Sequence, residues 1–252
     1  MSVAEQDITT LFHSDDVTKL RDDLALALRA AAHHDLAEGI CNHMSMVVPN
    51  SKYFLLNPRG LLWSEVQGKD IVMVDEYGTA VCGVHEVEST AMNIHGAIHR
   101  IANKNCVMHT HMPYSTSLTL LEGIPFETKL SQNAMRYHGR VGKDCNYNGL
   151  AVDATEGERI ARSMAKPGSE GREHFDIGFL GNHGIVVCGD RIDHAYVDLY
   201  YLERACQAQW LAMSTGQPLR ICSDEVTAVV AQQMLDDLYQ SELFFNALRR
   251  KF

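Results

Sequence analysis

The sequence of 252 residues predicts a single α/β domain with a mixed, largely antiparallel sheet covered by helices. Short apolar runs bounded by glycine, proline and asparagine recur along the chain, and stretches of helical periodicity alternate with them. No internal repeat or low-complexity linker marks a seam between domains. Residues 1–14 read as an N-terminal tail and residues 15–252 as the domain.

Ser14 precedes an amphipathic helix from Asp15 to about Asp35, in which Val17, Leu20, Leu24, Leu28 and Ala31 recur at three and four and Asp15 and Asp16 suit the first turn. Strand-like runs follow at Met44–Val48, Tyr53–Leu56 and Ile71–Val74, separated by Pro49-Asn50 and Pro58-Arg59-Gly60, with Thr79–Cys82 as the return strand of a hairpin. A helix from Glu88 to Ala102 leads into a buried strand around Val107 and Met108, and another begins near Ser115 and ends before Gly123. Pro125–Gly149 is polar and irregular, Thr155–Ala165 is helical, and two apolar runs flank His183. A buried stripe of Ile192, Ala195, Leu199, Leu202, Cys206 and Trp210 marks a long helix from Ile192 to about Met213, and a final helix spans Glu225–Leu248.

Composition excludes several classes of partner. The formal net charge is -10, with no basic cluster longer than Arg249-Arg250-Lys251, which argues against a nucleic-acid or anionic membrane surface. No run of eighteen apolar residues is present, and the stretch from Met1 to Asp7 lacks the features of a secretory signal. Seven cysteines without a Cys-x-x-Cys pair read as thiols of a reducing compartment, so the expected location is the cytoplasm.

The chemistry concentrates in His109-Thr110-His111. Side chains on a strand alternate, so both imidazoles project from one face with Thr110 on the other. Two adjacent imidazoles are half a metal site, and His183, in a glycine-flanked turn between apolar runs, is the candidate third ligand. The ordinary alternative is a pair of half-exposed strand residues.

The order of motifs resembles the class II aldolase/adducin family. The matching pieces are Gly39-Ile40-Cys41-Asn42-His43-Met44-Ser45, Asn57-Pro58-Arg59-Gly60, Ile94-His95-Gly96-Ala97-Ile98-His99, His109-Thr110-His111, Gly181-Asn182-His183-Gly184, and the helix holding Tyr200-Tyr201-Leu202-Glu203-Arg204-Ala205. The resemblance covers roughly residues 15–215. It implies an α/β/α sandwich, a homotetramer with sites at subunit interfaces, and one divalent metal per subunit on His109, His111 and His183, zinc first with manganese, iron or cobalt as alternatives. Catalytic members carry a glutamate four residues before the histidine matching His95, where this chain has Ala91. Glu88, about two turns from His95 on the same helical face, either supplies that carboxylate or is a first-turn residue without chemistry. The small Ser/Thr-Gly-Asn turn of sugar-phosphate aldolases is replaced by Gly39-Ile40-Cys41-Asn42, which weakens the case for a phosphorylated substrate.

A divalent cation on three imidazoles stabilises an enediolate, whichever bond breaks to form it. The expected activity is therefore a metal-dependent carbon–carbon lyase of aldolase type, acting on a small non-phosphorylated oxo- or hydroxy-carboxylate. A decarboxylase of a hydroxy-aromatic or keto acid, an Fe(II) oxygenase and a non-catalytic adducin-like protein are the alternatives. Adducin-like domains lose the metal histidines, which this chain retains. Arg59 and Asn42 are candidate substrate-binding residues, and Tyr137 and His138 candidate proton donors reaching a neighbouring subunit's site. His95 and His99, four apart on a helix, read as packing or supporting groups rather than ligands. His85-Glu86-Val87-Glu88-Ser89 lacks the final histidine of a zinc-protease motif.

Overall fold

The computed structural model describes residues 3–171 and 173–252. Helices α1 (Val3–Phe12) and α2 (Asp15–His33) precede strands β1 (His43–Val47), β2 (Phe54–Leu56), β3 (Val72–Val74) and β4 (Ala80–Cys82). Then come α3 (Ser89–Ala102), β5 (Cys106–Thr110), α4 (Pro113–Thr119), α5 (Gln132–Met135), β6 (Val141–Asp144), α6 (Ala154–Ser163), β7 (Ile177–Leu180) and β8 (Gly184–Gly189). Helices α7 (Ile192–Ser214), α8 (Asp224–Asp236) and α9 (Tyr239–Lys251) close the chain.

The strands form one 8-stranded sheet in the order β4-β3-β2-β1-β5-β8-β7-β6. Every neighbouring pair is antiparallel except β6 and β7, so the sheet is mixed and largely antiparallel. Strand alternation divides the core into two layers. Met44, Met46, Cys106, Met108, Ile185 and Val187 pack with Leu24 and Leu28 of α2, Leu199 and Leu202 of α7 and Phe245 of α9. On the opposite face, Val107, Val186 and Cys188 pack with Ile94, Ala97 and Ile98 of α3 and Ile160 of α6. Removing one such side chain from water contributes about 1.5–3 kcal/mol, so both helical layers hold the sheet.

Three regions differ from the sequence expectation. The N-terminal tail contains α1, whose Phe12 is buried. The irregular stretch 125–149 contains α5 and the edge strand β6; β6 pairs in parallel with a strand more than thirty residues later, so nothing local announces it. The final helix is two helices, broken at Asp237 (φ -110°, ψ 49°), because α8 docks on α5 whereas α9 docks on α7 and α2. Among the described residues no helix is long and apolar enough to cross a membrane.

Helices α3 and α6 approach so closely that a Cβ on Gly157 would lie 2.2 Å from the carbonyl oxygen of Asn93. Gly157→Ala is expected to destabilise the protein by about 1–3 kcal/mol in urea unfolding, as overpacking against backbone does. Gly96→Ala in α3 meets nothing nearer than 3.8 Å and should be neutral or slightly stabilising. Equal effects at the two positions would contradict the close packing.

Candidate metal centre

The register of β5 places His109 opposite Val186 on β8 and opposite His43 on β1. His111 lies just past the strand end, where its backbone N–H donates to Asn42 Oδ1 at 3.2 Å. His183 comes from the turn between β7 and β8. That turn is tied down by N–H donation from Gly181 to Asp144 O (2.6 Å) and from Asn182 to Thr119 O (3.1 Å), with Asn182 in the left-handed region at φ 54°. One ligand nitrogen from each histidine lies within 4.8 Å of the others, and the ring centroids are 4.7–5.0 Å apart. The structure thus brings together the three histidines that the sequence singled out.

Hydrogen bonds fix which nitrogens are free. His109 Nδ1 lies 2.9 Å from Ile185 O, and a carbonyl can only accept, so the proton sits on Nδ1 and the lone pair on Nε2. His111 Nδ1 lies 2.6 Å from the Glu38 carboxylate, which accepts its proton and orients the ring. The two Nε2 atoms are 3.2 Å apart. Burial, with the neighbouring imidazoles, holds His109 well below the usual histidine range, and burial followed by His111 holds His183 down to about 4. Three converging imidazoles, one of them with an oriented carboxylate behind it, fit a divalent cation.

Asn42 completes the rim. Its φ of 76° turns its buried side chain toward His111, and its Nδ2 is a buried donor without a protein partner. The expected carboxylate is absent from this rim. Ala91 is buried against Phe54, Leu56, Val72 and Val74. Glu88 immediately precedes α3, where its Oε1 accepts from Thr90 Oγ1 at 2.9 Å, and it forms no hydrogen bond or ion pair with the three histidines. It behaves as a residue of the helix start.

The Tyr137-His138 pair splits. Tyr137 is fully buried and its hydroxyl donates to Asp198 O at 2.7 Å, so it is a core residue and not an exposed proton donor; burial and then Asp198 push its phenol well above the usual range. His138 is half-buried with Nδ1 3.4 Å from Thr128 Oγ1. Arg59 is exposed on its turn, anchored by its backbone N–H to Glu86 O at 2.8 Å, and its guanidinium makes no hydrogen bond or ion pair among the described residues. Sequence reasoning did not single out Glu38, or Glu156 and Arg159 of α6. The latter pair is joined at 2.8 Å, and both residues act electrostatically on His183. No local pattern marks them, because the contacts are long-range.

Residues 22–210 match the family model described as Class II Aldolase and Adducin N-terminal domain. A Pseudomonas aeruginosa protein whose name assigns it to aldolase class 2 is 29% identical over 243 residues, covering 92% of this chain and 88% of that protein. Decarboxylase NovR of Streptomyces niveus is 28% identical over 218 residues, covering 85% of this chain and 74% of that protein. The crystal structure of an aldolase II superfamily protein from Pseudomonas syringae superposes with a TM-score of 0.83 at 30% identity, covering 94% of this chain and 93% of that one.

His111→Ala should abolish metal binding and activity together, and full metal occupancy in that variant would refute the ligand assignment. Glu38→Gln, which removes the orienting charge, should weaken zinc affinity about 10–100-fold in a chelator competition. A Cβ on Gly184 would lie 2.6 Å from His111 Cδ2, so Gly184→Ala should displace that ring and lower zinc content while the circular dichroism spectrum is retained.

Proposed function

The chain belongs to the class II aldolase and adducin family, and on that premise we propose that it is a divalent-metal-dependent carbon–carbon lyase of aldolase type. Its substrate in this reading is a small oxo- or hydroxy-carboxylate without a phosphate. The observation that carries the reading is the convergence of the Nε2 atoms of His109 and His111, 3.2 Å apart, beside His183. These three residues would hold the ion, zinc in the first instance. When bound, it would supply Lewis acidity toward substrate oxygens, and so tolerance of negative charge on the neighbouring carbon.

The chain's own residues have separable tasks. Asn42 Nδ2, buried and unpartnered, donates to a substrate oxygen, since an unsatisfied donor costs about 1–3 kcal/mol that a ligand can recover. Arg59, with no side-chain partner among the described residues, holds the carboxylate through two parallel hydrogen bonds. The segment before Asn42 favours an unphosphorylated substrate: Ile40 is 51% exposed, Cys41 follows it, and neither supplies the hydroxyl that a phosphate site uses. His138 is the remaining candidate proton donor from a neighbouring subunit. Apolar side chains exposed on the last two helices, among them Val226, Val229 and Tyr239 at 52%, 56% and 62%, support assembly into a homotetramer.

Decarboxylation is the second reading. It is favoured by Ala91 and by the engagement of Glu88 with Thr90, because release of neutral carbon dioxide makes less demand on an acid–base carboxylate. Retention of all three histidines argues against a non-catalytic, adducin-like role.

The zinc-loaded protein, offered a panel of unphosphorylated hydroxy- and oxo-acids, should release an aldehyde or oxo-acid fragment; release of carbon dioxide instead would select the second reading. Cleavage of sugar phosphates with no turnover of any carboxylate would overturn both. Arg59→Lys should raise KM more than it lowers kcat, because the clamp acts on ground and transition states alike. Light scattering at micromolar concentration should give a tetramer, and a monomer would contradict the proposed assembly.

A further inference from the structure

Behind His109 lies a chain of buried polar groups that the metal centre does not use. His43 and Ser45 share one face of β1, and His95 and His99 share one face of α3, so the two periodicities bring four polar side chains together. His43 also lies against His109, with ring centroids 4.9 Å apart and planes inclined by 27°. His43 Nδ1 is 2.9 Å from His95 Nε2, and His95 Nδ1 is 2.5 Å from Ser45 Oγ. Ser45 Oγ is 2.7 Å from His99 Nε2, and His99 Nδ1 is 2.6 Å from Lys104 O.

The far end sets the polarity of the whole chain. Lys104 O can only accept, so His99 carries its proton on Nδ1. A neutral His99 then accepts from Ser45 at Nε2. Ser45, its proton committed, accepts from His95 Nδ1–H; His95 Nε2, left without a proton, accepts from His43 Nδ1–H. The reverse polarity would require both protons on His99, a buried imidazolium whose only partners are a hydroxyl and a carbonyl. The last atom in the sequence is His43 Nε2, which has a lone pair and no hydrogen-bond partner among the described residues. The preceding residue, Asn42, has in Nδ2 a buried donor that is likewise without a partner among the described residues.

We propose that His43 is a specificity-determining residue of this site, a tautomer-locked acceptor for a ligand hydroxyl, with His95, Ser45 and His99 as the positioning residues that lock it. A hydroxyl satisfies the lone pair, whereas an ether oxygen, a carboxylate or a phosphate oxygen placed there meets it with another lone pair. Asn42 Nδ2, next along the chain, takes an oxygen of the same ligand. The pair therefore reads a hydroxyl adjacent to a carbonyl or carboxylate. The ligand class rests on the lyase reading above, but the tautomer is a property of the resting protein and does not.

Long-range proton–nitrogen spectra of histidine-labelled, metal-free protein test the lock, with the His43 signals identified by their loss in His43→Phe. His43, His95 and His99 should all appear with the proton on Nδ1. Ser45→Ala breaks the chain at its centre and should release a population of His43 protonated on Nε2, while His99 stays as it was. A proton on His43 Nε2 in the unsubstituted protein, or no change in Ser45→Ala, would overturn the lock. For the hydroxyl, glycolate and methoxyacetate are titrated calorimetrically into zinc-loaded protein. Glycolate should bind about tenfold more tightly, the scale of one lost hydrogen bond, and the preference should shrink in both variants. Equal affinities, no binding of glycolate, or an undiminished preference in both variants would overturn the hydroxyl assignment. A chain that takes up no zinc would refute the metal reading and leave the tautomer measurement standing.

Discussion

A neutral imidazole has one proton, and whatever accepts that proton decides where the ring's lone pair points. Around this cluster the acceptors are a strand carbonyl for His109, the carboxylate of Glu38 for His111, and, through three intermediaries, the Lys104 carbonyl for His43. Each is fixed by the backbone or by a neighbouring element, so the rings are oriented before any ligand arrives. Burial reinforces the arrangement by disfavouring the charged form, as at His109 and His95, both held well below the usual histidine range. The geometry of the three histidines is thus a consequence of sheet register as much as of residue type.

The surrounding fold serves that register. Strand β5 sits between β1 and β8 in the middle of the sheet, where its neighbours deliver His43 on one side and the Ile185 carbonyl on the other. Helix α7 reaches the same region through Glu203, whose buried carboxylate accepts the backbone N–H groups of Tyr114 and Ser115 at 2.7 and 2.9 Å. That contact pins the chain directly after His111. Asp144, at the end of β6, holds the turn that carries His183 and also pairs with Arg159 at 2.6 Å. A lateral shift of any of these elements would move one of the three histidines relative to the other two.

Much of this was legible in the sequence, and for definite reasons. Period-two and period-3.6 patterns located β1, β5, β8, α2, α3 and α7 within a few residues, and the alternation His109-Thr110-His111 placed two candidate ligands on one face. Readings that depended on long-range packing fared differently. Tyr137 looked like part of an exposed polar loop, yet its hydroxyl finds Asp198 O on α7 and the ring is buried. Glu88 shares the helical face of His95 in sequence, but it sits at the helix start, where Thr90 takes its carboxylate. The chain from His43 to His99 was within reach, since its members are an alternate pair on a strand and an i, i+4 pair on a helix. What the sequence lacked was the antiparallel register that sets β1 against β5 and the packing of α3 over both.

The central claim is that three imidazoles, bound through Nε2, form a divalent-metal site. X-ray absorption at the zinc edge of protein reconstituted with one equivalent of zinc tests it most directly. The account predicts three imidazole nitrogens at about 2.0–2.1 Å with the remaining positions filled by oxygen and no sulfur. A sulfur shell, which would bring in exposed Cys41 or Cys145, or a spectrum of hexa-aqua zinc, would contradict it.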